Sequence, residues 1–168
     1  SRGMVGKNIV DKLNSHYTLF TPTKNELNLL DKPLVTKYLN YKNPDFIIHC
    51  AGVVGGIQAN IAKPVSFLFD NSVIGLNIIS AAYESGIKNF INLGSSCMYP
   101  RNAVNPLKEN QILKGELEPT NEGYALAKIL ILKYCQHLKK KEKKQFISLM
   151  PANLYGEGDN FDLSSSHV

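Results

Sequence analysis

Asn89-Phe90-Ile91-Asn92-Leu93-Gly94-Ser95-Ser96 decides the fold. It is a short apolar run closed by glycine and two serines, which reads as a strand over residues 89–93 ending in a polar turn. Working outward, residues 71–85 read as a helix stopped by Gly86, a natural C-cap. Before it, Phe46-Ile47-Ile48-His49-Cys50-Ala51 is a continuous apolar run, expected as a strand buried on both faces. On the other side, residues 124–140 form a strong helical pattern, and residues 146–150 a further strand stopped by Pro151. Helix alternating with strand marks an α/β protein with a parallel sheet.

The flanking elements fit that pattern. Residues 4–14 read as a helix with Val5, Ile9, Val10 and Leu13 on one face. Residues 17–21 read as a short strand broken by Pro22. Residues 34–41 read as a helix, with Asp31 as N-cap and Pro33 in its first turn. Residues 52–63 read as a glycine-containing loop with room for a short helix. The long polar stretch 97–123 is of a length that usually serves function. The expected fold is a Rossmann-like, doubly wound parallel sheet, with residues 1–168 as one partial nucleotide-binding domain. The first element is a helix with no strand before it, and no substrate domain follows. The chain is therefore expected to be a fragment, lacking the first strand and the C-terminal substrate domain.

Composition narrows the function classes. With 43% hydrophobic and 20% charged residues, the chain is ordinary for a globular domain. No apolar run approaches the roughly 20 residues that span a bilayer, and the first residues lack the pattern of a signal peptide; no membrane role is expected. Cys50, Cys97 and Cys135 are odd in number and widely spaced. That argues against a disulfide framework or a metal site and suits a reducing, cytoplasmic setting. Cys50 and Cys135 sit in apolar runs and read as small core residues. The net charge of +5 owes much to the lysines of residues 139–144. These follow a helical pattern without interleaved aromatics, so nucleic-acid binding is not expected.

Three groups of residues could carry chemistry. Arg2-Gly3-Met4-Val5-Gly6 opens a helix, whose unpaired N–H groups and partial positive charge suit a pyrophosphate; a packing role is the plainer alternative. Tyr124-Ala125-Leu126-Ala127-Lys128 places Tyr and Lys on one helical face, where an ammonium would lower the phenol's pKa; chance placement on an amphipathic helix is the alternative. Gly94-Ser95-Ser96-Cys97 lies at the carboxyl end of a strand, where open α/β sheets bind ligands; a simple polar turn is the alternative. A glycine turn, a strand ending in Ser-Ser and a following Tyr-x-x-x-Lys helix occur here in one order, and that joint order decides between the readings.

On these residues the chain resembles the extended short-chain dehydrogenase/reductases, and among them the GDP-L-fucose synthases. Further shared stretches are Val54-Gly55-Gly56-Ile57, Met98-Tyr99-Pro100, Leu117-Glu118-Pro119-Thr120-Asn121-Glu122 and Ser166-His167-Val168. The chain departs from the usual pattern at Val53, Ala152 and Asp162. The resemblance implies NADPH-dependent epimerisation at C3 and C5 and reduction at C4 of GDP-4-keto-6-deoxy-D-mannose. It implies Tyr124 as proton donor to the C4 oxygen, Lys128 as holder of the nicotinamide ribose and Ser95 as a hydrogen-bond donor to that oxygen. Cys97 would be the epimerisation base and His167 the opposing acid, also beside the cofactor. Leu93, Gly94, Ser95, Ser96, Pro151, Ala152, Asn153 and Leu154 would line the cofactor. A related GDP-6-deoxy-heptose enzyme shares much of the pattern, and a non-catalytic nucleotide-binding protein is the reading from another class. A homodimer is the implied assembly.

Cofactor choice has its own argument. NAD enzymes place an acid after the second strand to bind the ribose 2′-hydroxyl. Here Thr21-Pro22-Thr23-Lys24-Asn25 intervenes before Glu26. Arg2 and Lys24 suit a 2′-phosphate instead, which favours NADP.

Overall fold

The computed structural model describes residues 2–142, 144–159 and 161. It is an α/β arrangement with a three-stranded parallel sheet. The elements are α1 (Met4–Leu13), α2 (Lys32–Lys42), β1 (Phe46–His49), α3 (Ile57–Ala62) and α4 (Pro64–Glu84). They continue with β2 (Asn89–Leu93), α5 (Glu122–Glu142) and β3 (Gln145–Leu149). The sheet order is β1-β2-β3, with Phe46 level with Asn89 and Asn89 level with Gln145.

Strand side chains alternate between faces, so this register sets two rows on one face. Ile47, Phe90 and Phe146 form the first, and His49, Asn92 and Ser148 the second. Phe90 and Phe146 stack at 5.3 Å and are fully buried beneath Ile78 and Ile79 of α4 and Ile131 and Cys135 of α5. Burying each such ring stabilises the fold by roughly 2–3 kcal/mol. The other face is more open, with Phe46 and Leu149 about half exposed. The expectation that residues 46–51 are buried on both faces is therefore corrected. The strand is shorter, lies at a sheet edge, and only His49 in it is buried.

Residues 17–21 form no strand. A strand needs a ladder partner, and among the described residues none pairs with this segment; the Tyr17 amide instead turns back to the Leu13 carbonyl. Asp31 caps α2 as expected, its carboxylate accepting from the Leu34 amide at 3.0 Å. α4 begins at Pro64, seven residues before the expected start, because proline is well suited to a first helical position. Gly86 ends α4 at φ 77°, with the Ile87 amide returning to the Ala82 carbonyl at 3.0 Å.

α4 is also long and apolar enough to cross a membrane, with a mean hydropathy of 1.4 over its best window. That corrects the sequence reading on length. The helix nevertheless packs as a core element: Phe67, Gly75, Ile78, Ile79, Ala81 and Ala82 are buried, against α2 and α5. At Gly75 the two long helices come so close that a Cβ would overlap the Ile131 side chain. The stretch between β2 and α5 folds into three short turns around buried Met98 and Ile112. Arg101 and Glu116 pair across it.

Candidate active site

Tyr124 and Lys128 lie on the first turns of α5, which lays Ala125, Ala127, Ile129 and Leu132 into the core. The ammonium of Lys128 stands over the Tyr124 ring, 5.5 Å from its centre, and donates to the Leu93 carbonyl at 2.9 Å. That carbonyl belongs to the last residue of β2, so α5 is tied to the carboxyl end of the strand. Gly94 extends the ladder by one bond, its amide donating to the Leu149 carbonyl at 2.7 Å. No side chain fits there: a Cβ would lie 2.8 Å from the Met98 Cε and 3.1 Å from the Leu149 oxygen. Ser95 then turns the chain, its hydroxyl accepting from the Cys97 amide at 3.4 Å. The predicted pair and the predicted serine–cysteine turn are thus brought to one place.

Electrostatics differ from the sequence expectation in one respect. Burial pushes the Tyr124 phenol up to about 12, with Cys97 nearby adding to the rise. The expected lowering by Lys128 does not occur, because the ammonium is directed to a backbone carbonyl and desolvation dominates. Tyr124 is therefore protonated at neutral pH. Burial lowers the Lys128 pKa, opposed by Cys97 and Cys50. Burial raises the Cys97 thiol, with the Ser95 hydrogen bond and Lys128 pulling the other way.

Two residues read from sequence as core elements share these surroundings. His49 is buried and held down at about 3 by desolvation and then by the charge of Lys128. Cys50 is half-buried and not the core residue that was expected; burial raises its thiol pKa, with the same ammonium pulling the other way. Both sit at the carboxyl end of β1, the same strand-end rule that picked out Ser95. Cys135 is buried, as expected. Sequence also missed Phe67, whose ring meets Tyr124 edge-on at 6.2 Å. It missed Asn71, whose carboxamide bonds both the Val53 N–H and C=O.

The remaining predicted cofactor residues are placed as follows. Gly3 caps α1 in an extended conformation, φ −75° and ψ 161°, with open space where a side chain would be. Arg2 and Gly3 are exposed, Met4 and Val5 partly so, and Gly6 is buried in α1. Asn8 of α1 donates to the Glu157 carbonyl at 3.0 Å, which joins this helix to the segment after β3. In that segment Pro151 is half-buried, while Ala152, Asn153 and Leu154 are exposed. Ser96 is half-buried and Lys24 is exposed. The Glu26 carboxylate accepts from the Thr23 amide at 2.7 Å; this bond, then the Thr23 hydroxyl and Arg2, keep its pKa low. His167 and Asp162 lie outside the described residues. Among the described residues there is no cluster of metal-ligating side chains.

This arrangement fits a nicotinamide dinucleotide. The N-cap of α1 is Gly3, which has no side chain to cap the helix's first amides. Lys128 uses one N–H on Leu93, which leaves donor capacity for ribose hydroxyls.

The comparisons agree with the geometry. The whole chain, residues 1–168, matches the NAD dependent epimerase/dehydratase family, and the protein belongs to that family. It is 49% identical over 168 residues to a GDP-L-colitose synthase of Yersinia pseudotuberculosis, covering 99% of this chain and 54% of that one. It is 46% identical over 168 residues to a GDP-L-fucose synthase of Azorhizobium caulinodans, with the same two coverages, 99% and 54%. Its fold superimposes, at a TM-score of 0.93 and 32% identity, on a GDP-D-glycero-L-gluco-heptose synthase of Campylobacter jejuni solved in the presence of NADPH. That match covers 99% of this chain and 49% of the other. The chain thus spans about half the length of the relatives it matches.

Proposed function

We propose that the protein containing this chain uses NADPH to convert GDP-4-keto-6-deoxy-D-mannose to GDP-L-fucose, by epimerisation at C3 and C5 and reduction at C4. The observation that carries this reading is a partly buried Tyr124 with the Lys128 ammonium over its ring, set with Cys97 at the carboxyl end of β2. NADPH supplies the hydride. Lys128 holds the ribose, and Arg2 with Lys24 meets the 2′-phosphate. Residues 2–6, 93–96 and 151–154 line the cofactor.

Tyr124 gives its proton to the C4 oxygen, and Ser95 donates a hydrogen bond to the same atom. C3 and C5 both flank the ketone, so their protons are acidified, and either deprotonation places charge on the C4 oxygen. One oxyanion site therefore serves all three steps. At C3 and at C5 in turn, Cys97 removes the proton and His167 returns one to the opposite face of the same carbon.

A second reading is the related reaction on another GDP-sugar. It is supported by the 49% identity to a colitose synthase and by the superposition on a heptose synthase. Incubating the full-length enzyme with NADPH and each GDP-keto sugar separates the readings. Oxidation of NADPH with the 6-deoxymannose substrate and formation of GDP-L-fucose is the expected result. Turnover of a different sugar alone would establish the second.

A homodimer and a cytoplasmic setting belong to the same proposal. Val65, Phe69, Leu126 and Leu130 are exposed on α4 and α5, which supports a second copy packing there. Light scattering of the full-length protein at the mass of two chains is the expected result.

A further inference from the structure

The loop of residues 52–56, at the carboxyl end of β1, is held by two buried asparagines. Asn71 accepts from the Val53 amide at 2.8 Å and donates to the Val53 carbonyl at 3.0 Å and the Phe67 carbonyl at 2.8 Å. Asn60 donates to the Gly55 carbonyl at 2.9 Å and to the Gly56 carbonyl at 3.0 Å. The Asn60 carboxamide oxygen is buried with no partner among the described residues. Burying an unpaired oxygen is costly, so what this residue contributes is its two N–H bonds to the loop.

The pinned loop lies close against a neighbour of Tyr124. A Cβ on Gly55 would lie 2.8 Å from the Ala59 Cβ and 3.2 Å from the Phe67 Cζ. Phe67 is 3% exposed, so its ring has little room to retreat. The same ring meets the Tyr124 ring edge-on, 6.2 Å between centres and 75° between planes. Contact thus runs without a break from Asn60 through Gly55 and Phe67 to Tyr124.

We infer that Gly55 and Phe67, with Asn60 as the pin, are positioning residues that set the Tyr124 ring against the reacting carbonyl. This rests on the proposed role of Tyr124. A hydroxyl displaced by about 1 Å loses on the order of 100-fold in rate, so a proton donor gains from a rigid wall behind its ring. A methyl at position 55 would overlap the Ala59 Cβ at 2.8 Å and crowd the Phe67 Cζ at 3.2 Å, so α3 or the Phe67 ring has to shift.

The test uses full-length enzyme carrying 3-fluorotyrosine, with the Tyr124 fluorine resonance assigned by its loss in Tyr124→Phe. Gly55→Ala and Phe67→Leu are each expected to move that resonance. Each should also lower kcat about tenfold, with KM for NADPH changed less than about twofold. In the double variant the smaller Leu side chain accommodates the methyl, and the two losses combine less than additively. A resonance that stays at its wild-type position in folded Phe67→Leu would overturn the inference, and this variant serves even where Gly55→Ala does not fold. In an enzyme inactive on every GDP-keto sugar, a resonance moved by Gly55→Ala, which keeps the Phe67 ring, upholds the positioning and sinks only the reading of the reaction.

Discussion

The Lys128 ammonium gives its hydrogen bond to the Leu93 carbonyl, 2.9 Å away, while standing over the ring of Tyr124. One cation therefore serves three ends. It ties α5 to β2, lies over the phenol ring, and keeps donor capacity for a ribose. Lys128→Met is expected to raise the dissociation constant for NADPH at least about tenfold, as lost hydrogen bonds to a charged donor would. Fluorescence titration of NADPH against wild type and variant checks this, and unchanged affinity would remove Lys128 from the cofactor.

Cys97 titrates in the opposite sense to its proposed task. Burial holds the thiol above its ordinary pKa of 9.0, so the thiolate is a minor species at neutral pH. Its population grows as pH rises through that raised value. Exchange of the C3 and C5 protons with deuterated solvent is therefore expected to speed up well into the alkaline range. Tyr124, protonated up to about 12, keeps supplying its proton over the same range. Cys97→Ser should suppress exchange far more than C4 reduction. Exchange at wild-type rate in Cys97→Ser would assign the base elsewhere.

His49 makes the fold sensitive to acid. Its pKa is about 3 in the folded chain against 6.5 for an ordinary histidine, because desolvation and Lys128 both disfavour the imidazolium. A depressed folded value means this stability is present above pH 6.5 and is lost as pH falls toward 3, a contribution of order 5 kcal/mol at most. Chemical denaturation of His49→Gln and wild type between these limits is the check. The variant should show a shallower loss of stability with acid, and parallel curves would refute the linkage.

Gly75→Ala pits two effects against each other. Alanine favours the helix by about 1 kcal/mol. The new methyl, however, overlaps the side chain of Ile131, which is 3% exposed and packed on all sides. Overpacking of this kind costs roughly 1–3 kcal/mol, so a net loss and a lower Tm are expected. Shortening the neighbour with Ile131→Val should recover part of that loss.

Most of the helices and strands were legible because their apolar spacing and caps are local. Asp31 and Gly86 act as read, and β2 falls on its expected residues. Residues 17–21 carry a strand-like pattern but find no ladder, and pairing is not a local property. Pro64 opens α4 seven residues before the expected start, so Phe67 fell between the expected loop and the expected helix and its contact with Tyr124 went unread. The Tyr124–Lys128 pair, Ser95 and Cys97 were found from spacing and order. The direction of the Tyr124 shift was not, because it depends on burial, which spacing does not show. Cys50 and His49 look like interior strand residues until the Lys128 ammonium is seen beside them.

The central claim is that the Tyr124 hydroxyl protonates the sugar ketone as it is reduced. Single-turnover reduction of the GDP-4-keto sugar by NADPH, in full-length wild type and Tyr124→Phe, tests it most directly. Loss of at least about 100-fold in the rate of NADPH oxidation, with cofactor affinity retained, is the predicted result. Reduction by Tyr124→Phe at the wild-type rate would contradict it.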